Sequence, residues 1–364
     1  MEALRDDGET FAGDVSERGR DRRAHTLRVP VALVAGITPF NHPLNQVAHK
    51  VAPALALGAP IVVKPSERPP LAAVRLRELI DEAGAPPDAV QIVCGDPAQI
   101  LKAFLAHPAV ELLAFTGGVA VGKSIAERLG YRRAMLELGG NDPLIVLADA
   151  DLAEAARLAT QGAFANSGQR CTAVKRIIAV EPVADELATR LAESARALRC
   201  GDPLDPDTDV GTVIDDLAAA RVAGRVEAAV AGGATLLCGG ERDGALLTPA
   251  VLDHVVPGQE LVATETFGPV APILRVRDLD EALAVANSTR YALSAAVCTF
   301  DWRAIVRCVR ELRAGTVNVR EVPGWRTELT PFGGVGDSGL GVKEGVREAM
   351  RAMSFTKLYT LPWG

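Results

Sequence analysis

The segment VALVAGITPFNHPLNQVAHKVAPALALGAPIVVKPSE, residues 31–67, decides the fold. Its opening belongs to an apolar run, 27–37, that reads as a buried strand reaching Gly36. Residues 44–58 read as a helix closed by Gly58, and 59–65 as a second strand. Strand, helix and strand on short connections are the unit from which parallel sheets are built.

Outward from this unit the alternation continues. A helix over 69–84 starts at prolines and ends at Gly84; a strand over 89–95, a helix over 96–108, a strand over 111–118 and a helix over 119–130 follow. The pattern predicts a doubly wound parallel sheet, with ligands beyond the carboxyl ends of its strands. The second half alternates less evenly. A helix over 151–164 begins at Asp151 with Glu154 three residues on, a capping-box arrangement. Strands near 174–180, 270–276 and 293–299, with helices near 183–199, 216–231, 278–287 and 301–313, predict a second α/β layer. The glycine-rich LELGGNDP, 136–143, suits a junction between the two. Residues 1–25, with ERGRDRRAH at 17–25, read as a solvated tail or exposed hairpin, and 355–363 as an edge strand able to pair with another subunit.

Composition narrows the function classes. With 364 residues, 48% of them hydrophobic, the chain can bury a large core. Aromatic residues are only 4%, so small aliphatic side chains must do most of the packing. A net charge of −7 argues against nucleic acid as a partner. The cysteines Cys94, Cys171, Cys200, Cys238, Cys298 and Cys308 are scattered and form no C-x-x-C pair, which argues against a disulfide framework or a metal site. No apolar run approaches the ~20 residues that span a bilayer, and the charged N-terminus lacks the apolar core of a secretory signal. The expectation is a reduced, soluble, cytoplasmic protein with no membrane partner.

Five places can carry chemistry. In NSGQRCTA, 166–173, Cys171 stands among Gly168, Gln169, Arg170 and Thr172, where a helix gives way to a strand. Arg170 favours the thiolate, so Cys171 reads either as a nucleophile or as a small buried hydrophobe. Glu137 lies between Leu136 and Leu138, an apolar setting that raises a carboxyl pKa and suits a general base. Lys64 and Glu67 in KPSE follow a strand, either as a surface turn or as ligand contacts, Glu67 accepting from ribose hydroxyls. FTGGVAVG, 115–122, lacks the G-x-G-x-x-G spacing; Gly117 and Gly118 form a tight turn or offer N–H groups to a phosphate. In TPFNHPLN, 38–45, Asn41 and His42 lie between prolines, as a rigid loop or with Asn41 donating to a developing oxyanion.

Taken together, TPFNHPLN, KPSE, FTGG, LELGGNDP, GQRCTA, ETFGPV (265–270) and TPFGGVGDSGLG (330–341) resemble, in their order, the aldehyde dehydrogenase superfamily from about residue 27 onward. The resemblance implies an α/β fold with a Rossmann-type cofactor domain, an α/β catalytic domain and a small oligomerisation hairpin. It divides the chain into a hairpin at 1–30, an NAD-binding domain at 31–138 lacking its usual N-terminal part, a catalytic domain at 139–348 and an oligomerisation strand at 349–364. It implies that Cys171 attacks the aldehyde, that Asn41 and the Cys171 N–H hold the oxyanion, and that Glu137 activates water against the thioester. Lys64 and Glu67 would bind the adenosine ribose, Gly117 and Gly118 the pyrophosphate through backbone, Glu265 the nicotinamide ribose, and Phe267 would pack near the nicotinamide. NAD is the implied cofactor, with NADP as the alternative, and a homodimer or homotetramer the implied assembly.

FNHPLNQVAHK, GQRCTAVKR and PGWRTELTPFGG are most similar to phosphonoacetaldehyde dehydrogenases and relatives that act on small anionic aldehydes. His42, Arg170 and Arg326 would then meet the anionic end of the substrate. The expected reaction is oxidation of a phosphonate aldehyde, such as phosphonoacetaldehyde or phosphonoformaldehyde, to the carboxylate. The alternatives are lactaldehyde or a semialdehyde as substrate, or a truncated, non-catalytic partner subunit.

Overall fold

The structure, a computed structural model, describes residues 10–11 and 21–362. The chain divides into two compact units, residues 1–137, 327–332 and 342–364 in the first, and 138–326 with 333–341 in the second. The division at 137/138 falls inside LELGGNDP.

The first unit begins with β1 (Thr10–Phe11) and β2 (Arg22–Pro30), then runs through β3 (Val34–Ile37), α1 (Asn45–Leu57), β4 (Ile61–Lys64), α2 (Leu71–Glu82), β5 (Val90–Ile92), α3 (Pro97–Ala106), β6 (Leu112–Thr116), α4 (Val119–Arg128) and β7 (Arg133–Glu137). Strands β3 to β7 form one parallel sheet in the order β5-β4-β3-β6-β7. The chain winds from β3 outward to β5, then crosses back to β6, so the order reverses between β3 and β6. A crevice at such a switch point, beyond the carboxyl ends, is where doubly wound sheets bind ligands. The core is aliphatic, built from Val34, Val47, Val51, Ala54, Ile61, Val63, Ala114 and Met135. Gly58 closes α1 in the left-handed region, at φ 81°, where a side chain would be strained.

The second unit carries β8 (Asp142–Val146), α5 (Leu152–Phe164), β9 (Val174–Val180), α6 (Glu181–Arg196), α7 (Asp216–Ala231), β10 (Thr235–Cys238), the short pair β11 (Arg242–Asp243) and β12 (Leu246–Leu247), β13 (Ala250–Asp253), α8 (Glu260–Ala263), β14 (Val270–Val276), α9 (Leu279–Ala286), β15 (Ser294–Cys298), α10 (Trp302–Glu311) and β16 (Thr316–Val319). Its seven-stranded sheet has the order β10-β13-β14-β9-β8-β15-β16 and is parallel except for β10. Asp151 caps α5 through the backbone N–H groups of Ala153 and Glu154. The chain ends in α11 (Val346–Ala352) and β17 (Ser354–Pro362).

Two expectations change. The single strand read over 27–37 is two strands. The Val31 N–H donates to the Met353 carbonyl and the Ala32 N–H to the Glu111 carboxylate, so the chain leaves one ladder before entering the next. The terminal strand, β17, pairs antiparallel with β2 from Ser354↔Pro30 to Pro362↔Arg22 and stands at the edge of its sheet, with β1 on the other side of β2. Residues 1–9 and 12–20 of the expected hairpin, and 363–364, lie outside the described residues. Strand β8, interior in its sheet, is not among the expected strands because it opens on Asp142 and Pro143, both turn-like residue types, which mask the short apolar run that follows. Among the described residues, no helix is long and apolar enough to cross a membrane.

Candidate active site

In the second unit, α5 stops at Phe164 and the chain makes a left-handed turn before Cys171. Asn166 and Ser167 adopt φ 56° and 54°, and Gly168 φ 68°. Consecutive non-glycine residues in this region cost on the order of 1–3 kcal/mol each and persist only when their surroundings fix them. Here the Ser167 hydroxyl donates to the Gly211 carbonyl, and the Gln169 side-chain oxygen accepts from the Ile214 N–H at 2.8 Å. Gly168 is required twice, by its φ and by space: a Cβ there would lie 2.1 Å from the Gly268 carbonyl oxygen. Gly168→Ala is therefore expected to destabilise the protein by about 2–4 kcal/mol, from left-handed strain plus the clash. A shift of the urea unfolding midpoint reads this out, and an unchanged midpoint would contradict it.

The turn leaves Cys171 half-buried, one turn before β9. Beneath it lies a cation absent from the sequence-derived candidates. Lys175, 3% exposed, donates to the Arg170 carbonyl at 2.6 Å, to the Glu265 carboxylate at 2.9 Å, and to the carbonyls of Cys171 and Gly140 at 3.3 Å each. Its ammonium also stands 5.3 Å from the centre of the Phe267 ring. Glu265 accepts a second bond from the Gly140 N–H at 3.2 Å. Gly139 and Gly140 make this possible: a Cβ on Gly139 would lie 2.1 Å from the Glu265 carboxylate, and one on Gly140 2.3 Å from the Cys171 carbonyl. Cys171, Glu265 and Phe267 are thus brought together. Asp142 lies fully buried nearby in sequence, accepting from the Ser294 N–H; burial pushes its pKa up to about 8, against the pull of Lys175 and Arg176.

Arg170 and the turn that carries Arg326 also meet. A Cβ on Gly324 would lie 2.3 Å from the Thr172 hydroxyl and 3.4 Å from the Arg170 guanidinium. Asn318 shapes this turn, donating at 3.0 Å to the carbonyls of Val322, Pro323 and Trp325. Burial lowers the Arg170 pKa, and the charges of Cys171 and Asp142 oppose that shift. The Arg170 guanidinium makes no hydrogen bond or ion pair with the described residues.

The first unit places its candidates at the carboxyl ends of its parallel strands. Asn41 and His42 lie on the loop after β3, whose Thr38 N–H is tied to the Lys64 carbonyl at the end of β4. Lys64 is buried and its ammonium is ion-paired with Glu67. Burial raises the Glu67 pKa, but the hydrogen bond and charge of Lys64 outweigh it and the net shift is downward. After β6, a Cβ on Gly117 would lie 2.6 Å from the Phe115 ring. Gly118 opens α4 with no side-chain cap, and a Cβ there would meet nothing within 4 Å. A helix N-terminus without a side-chain cap leaves its first N–H groups available to a phosphate. The turn is anchored by Lys50, which is buried in α1 and donates to the Thr116 hydroxyl at 2.6 Å and to Glu344 at 3.0 Å. Glu344 is fully buried; desolvation would raise its pKa, but Lys50 and His49 hold it below the ordinary carboxylate range. Glu137 ends β7 opposite Thr116 and is only 3% exposed; burial lowers the Lys343 pKa, and the charge of Glu137 opposes that shift. Sequence reading found neither Lys50 nor Glu344, since their pairing spans most of the chain.

An uncapped helix N-terminus at the switch point, beside a strand end carrying Lys64 and Glu67, fits a dinucleotide. Comparison with known proteins agrees. The aldehyde dehydrogenase family model matches residues 1–359. The chain is 38% identical over 360 residues to the 3-sulfolactaldehyde dehydrogenase of Priestia megaterium, covering 99% of this chain and 75% of the relative. It is 37% identical over 354 residues to the lactaldehyde dehydrogenase of Methanococcus aeolicus, covering 96% and 74%. The crystal structure of NADP-dependent glyceraldehyde-3-phosphate dehydrogenase from Bacillus halodurans, complexed with NADP, superposes with a TM-score of 0.96 at 39% identity, covering 100% of this chain and 76% of the other. The chain belongs to the aldehyde dehydrogenase family and is an NAD(P)-dependent dehydrogenase of small aldehydes.

Proposed function

We propose that this dehydrogenase oxidises two- or three-carbon aldehydes that carry a phosphonate, or a comparable tetrahedral anion, at the far end. The carrying observation is Arg170: a half-buried guanidinium next to Cys171, without a hydrogen bond or ion pair among the described residues. Burying a charge without a partner is costly, and an anionic substrate would supply the partner. Arg326, two residues beyond the glycine that packs on Arg170, adds a second cation to the same loop. His42 is the third proposed contact.

In the proposed chemistry, the Cys171 thiolate attacks the aldehyde carbon, and the oxygen that becomes negative accepts from the Asn41 amide and the Cys171 N–H. Bound NAD(P)+ would supply the hydride acceptor that lets the thiohemiacetal on Cys171 become a thioester. Lys64, Glu67 and the 117–118 turn would hold the adenosine end of the cofactor, and Glu265 and Phe267 its nicotinamide end. Glu137 takes a proton from water, which attacks the thioester and releases the carboxylate and the Cys171 thiol.

Arg170→Gln separates recognition of the anion from tuning of the thiol. Loss of a charged contact of about 1.5–3 kcal/mol lowers kcat/KM for phosphonoacetaldehyde about 10- to 150-fold. Lactaldehyde and propionaldehyde, which carry no anion, are expected to stay within about threefold. Arg326→Ala should shift the same ratio in the same direction. Equal losses on charged and uncharged aldehydes would contradict the proposal and make Arg170 a modulator of Cys171.

A further inference from the structure

We infer that Lys175 is a positioning residue that aims two catalytic contacts at once: the Cys171 N–H toward the oxyanion and the Glu265 carboxylate toward the cofactor ribose. The inference rests on the roles proposed above for Cys171 and Glu265.

The first contact follows from peptide geometry. The Arg170 carbonyl and the Cys171 N–H belong to one planar trans peptide, so they point in opposite directions. Lys175 holds that carbonyl at 2.6 Å, the shortest of its contacts. Fixing the oxygen fixes the direction of the N–H, and an ammonium on the oxygen polarises the peptide so that its N–H donates more strongly. Preorganised donors of this kind contribute most to stabilising an oxyanion. The second contact is direct. Oε1 of Glu265 receives both Lys175, at 2.9 Å, and the Gly140 N–H, at 3.2 Å. The Glu265 side chain keeps 16% exposure, so a ligand can still reach the carboxylate.

The strand is distorted to deliver this lysine. The register of β8 with β9 steps from Asp142↔Val174 to Pro143↔Arg176, leaving Lys175 as the extra residue of a bulge. Bulges re-aim side chains, and Pro143 has no N–H to give the regular ladder. A buried ammonium costs several kcal/mol unless well paired. Solvating three carbonyls does not require a cation, whereas a carboxylate held beside them does.

The test uses Lys175→Met, Lys175→Gln and Lys175→Arg in the full chain. NADH affinity is read by fluorescence titration, and the acylation step by the pre-steady-state burst of NADH at saturating cofactor. Lys175→Met is expected to weaken NADH binding about 10-fold and to slow the burst about 100-fold. Lys175→Gln keeps amide donors for the Arg170 carbonyl but no charge for Glu265. It should fold even where the Met variant does not, lose the same affinity, and lose less of the burst rate. Lys175→Arg should restore affinity to within about threefold of wild type. Folded Met or Gln variants whose NADH affinity and burst rate both stay within about twofold of wild type would overturn the inference, as would an Arg variant no better than Gln. Wild-type protein that binds no NAD(P)H and oxidises no aldehyde would instead overturn the enzymatic roles on which the inference stands.

Discussion

Cys171→Ala is expected to abolish aldehyde-dependent reduction of NAD(P)+, with a fall in kcat of about 10⁴-fold or more. The thermal midpoint should move by only about 2 °C, because a half-buried turn residue contributes little to stability. The other cysteines offer no substitute. Burial pushes the Cys298 thiol up to about 12 and the Cys308 thiol up to about 11, so both stay protonated at neutral pH. Cys200 and Cys238 are likewise raised by burial, and Cys94 is exposed near the end of β5. A Cys171→Ala variant keeping more than about 1% of wild-type turnover would move the nucleophile elsewhere.

Glu137→Gln gives the second large effect. The substitution keeps shape and removes the base. One equivalent of NAD(P)H per active Cys171 should still form in a burst, followed by a steady state about 10²- to 10⁴-fold slower than wild type. Glu137 is well placed for such a split because its backbone is fixed on both sides. Its carbonyl accepts from the Gly117 N–H at 3.0 Å, and its strand is locked to β6 through Thr116. A steady state unchanged in rate would remove Glu137 from the mechanism. Loss of the burst itself would place it in acylation instead.

Much of this was legible in the sequence because the two things that mark a doubly wound sheet are local. Apolar runs of strand length and glycine-closed helices need no tertiary information, and α1, β4, β9, α7 and β14 fall where the pattern puts them. The candidate residues were legible for a related reason: Cys171, Glu137 and Asn41 are reactive or polar types set where packing alone would not ask for them. What escaped depends on distance in the chain. Whether 27–37 is one strand or two is decided by Met353 and Glu111, which accept from Val31 and Ala32 across the first unit. Strand β8 hides behind Asp142–Pro143 because the bulge that accommodates them exists only against β9. Lys175 stood inside GQRCTAVKR, yet nothing local distinguishes it from a solvated lysine. Only the fold brings Glu265 and the Gly139–Gly140 backbone against it.

The most direct measurement is peptide-level mass spectrometry of the Glu137→Gln variant, mixed with NAD+ and phosphonoacetaldehyde and quenched in acid within one turnover. The expected result is an acyl group on the peptide containing Cys171, present only when cofactor is included, since a thiohemiacetal reverts on quenching and a thioester does not. An acyl group on another peptide, or no adduct while the wild-type enzyme turns over, would contradict the assignment of Cys171 as the nucleophile.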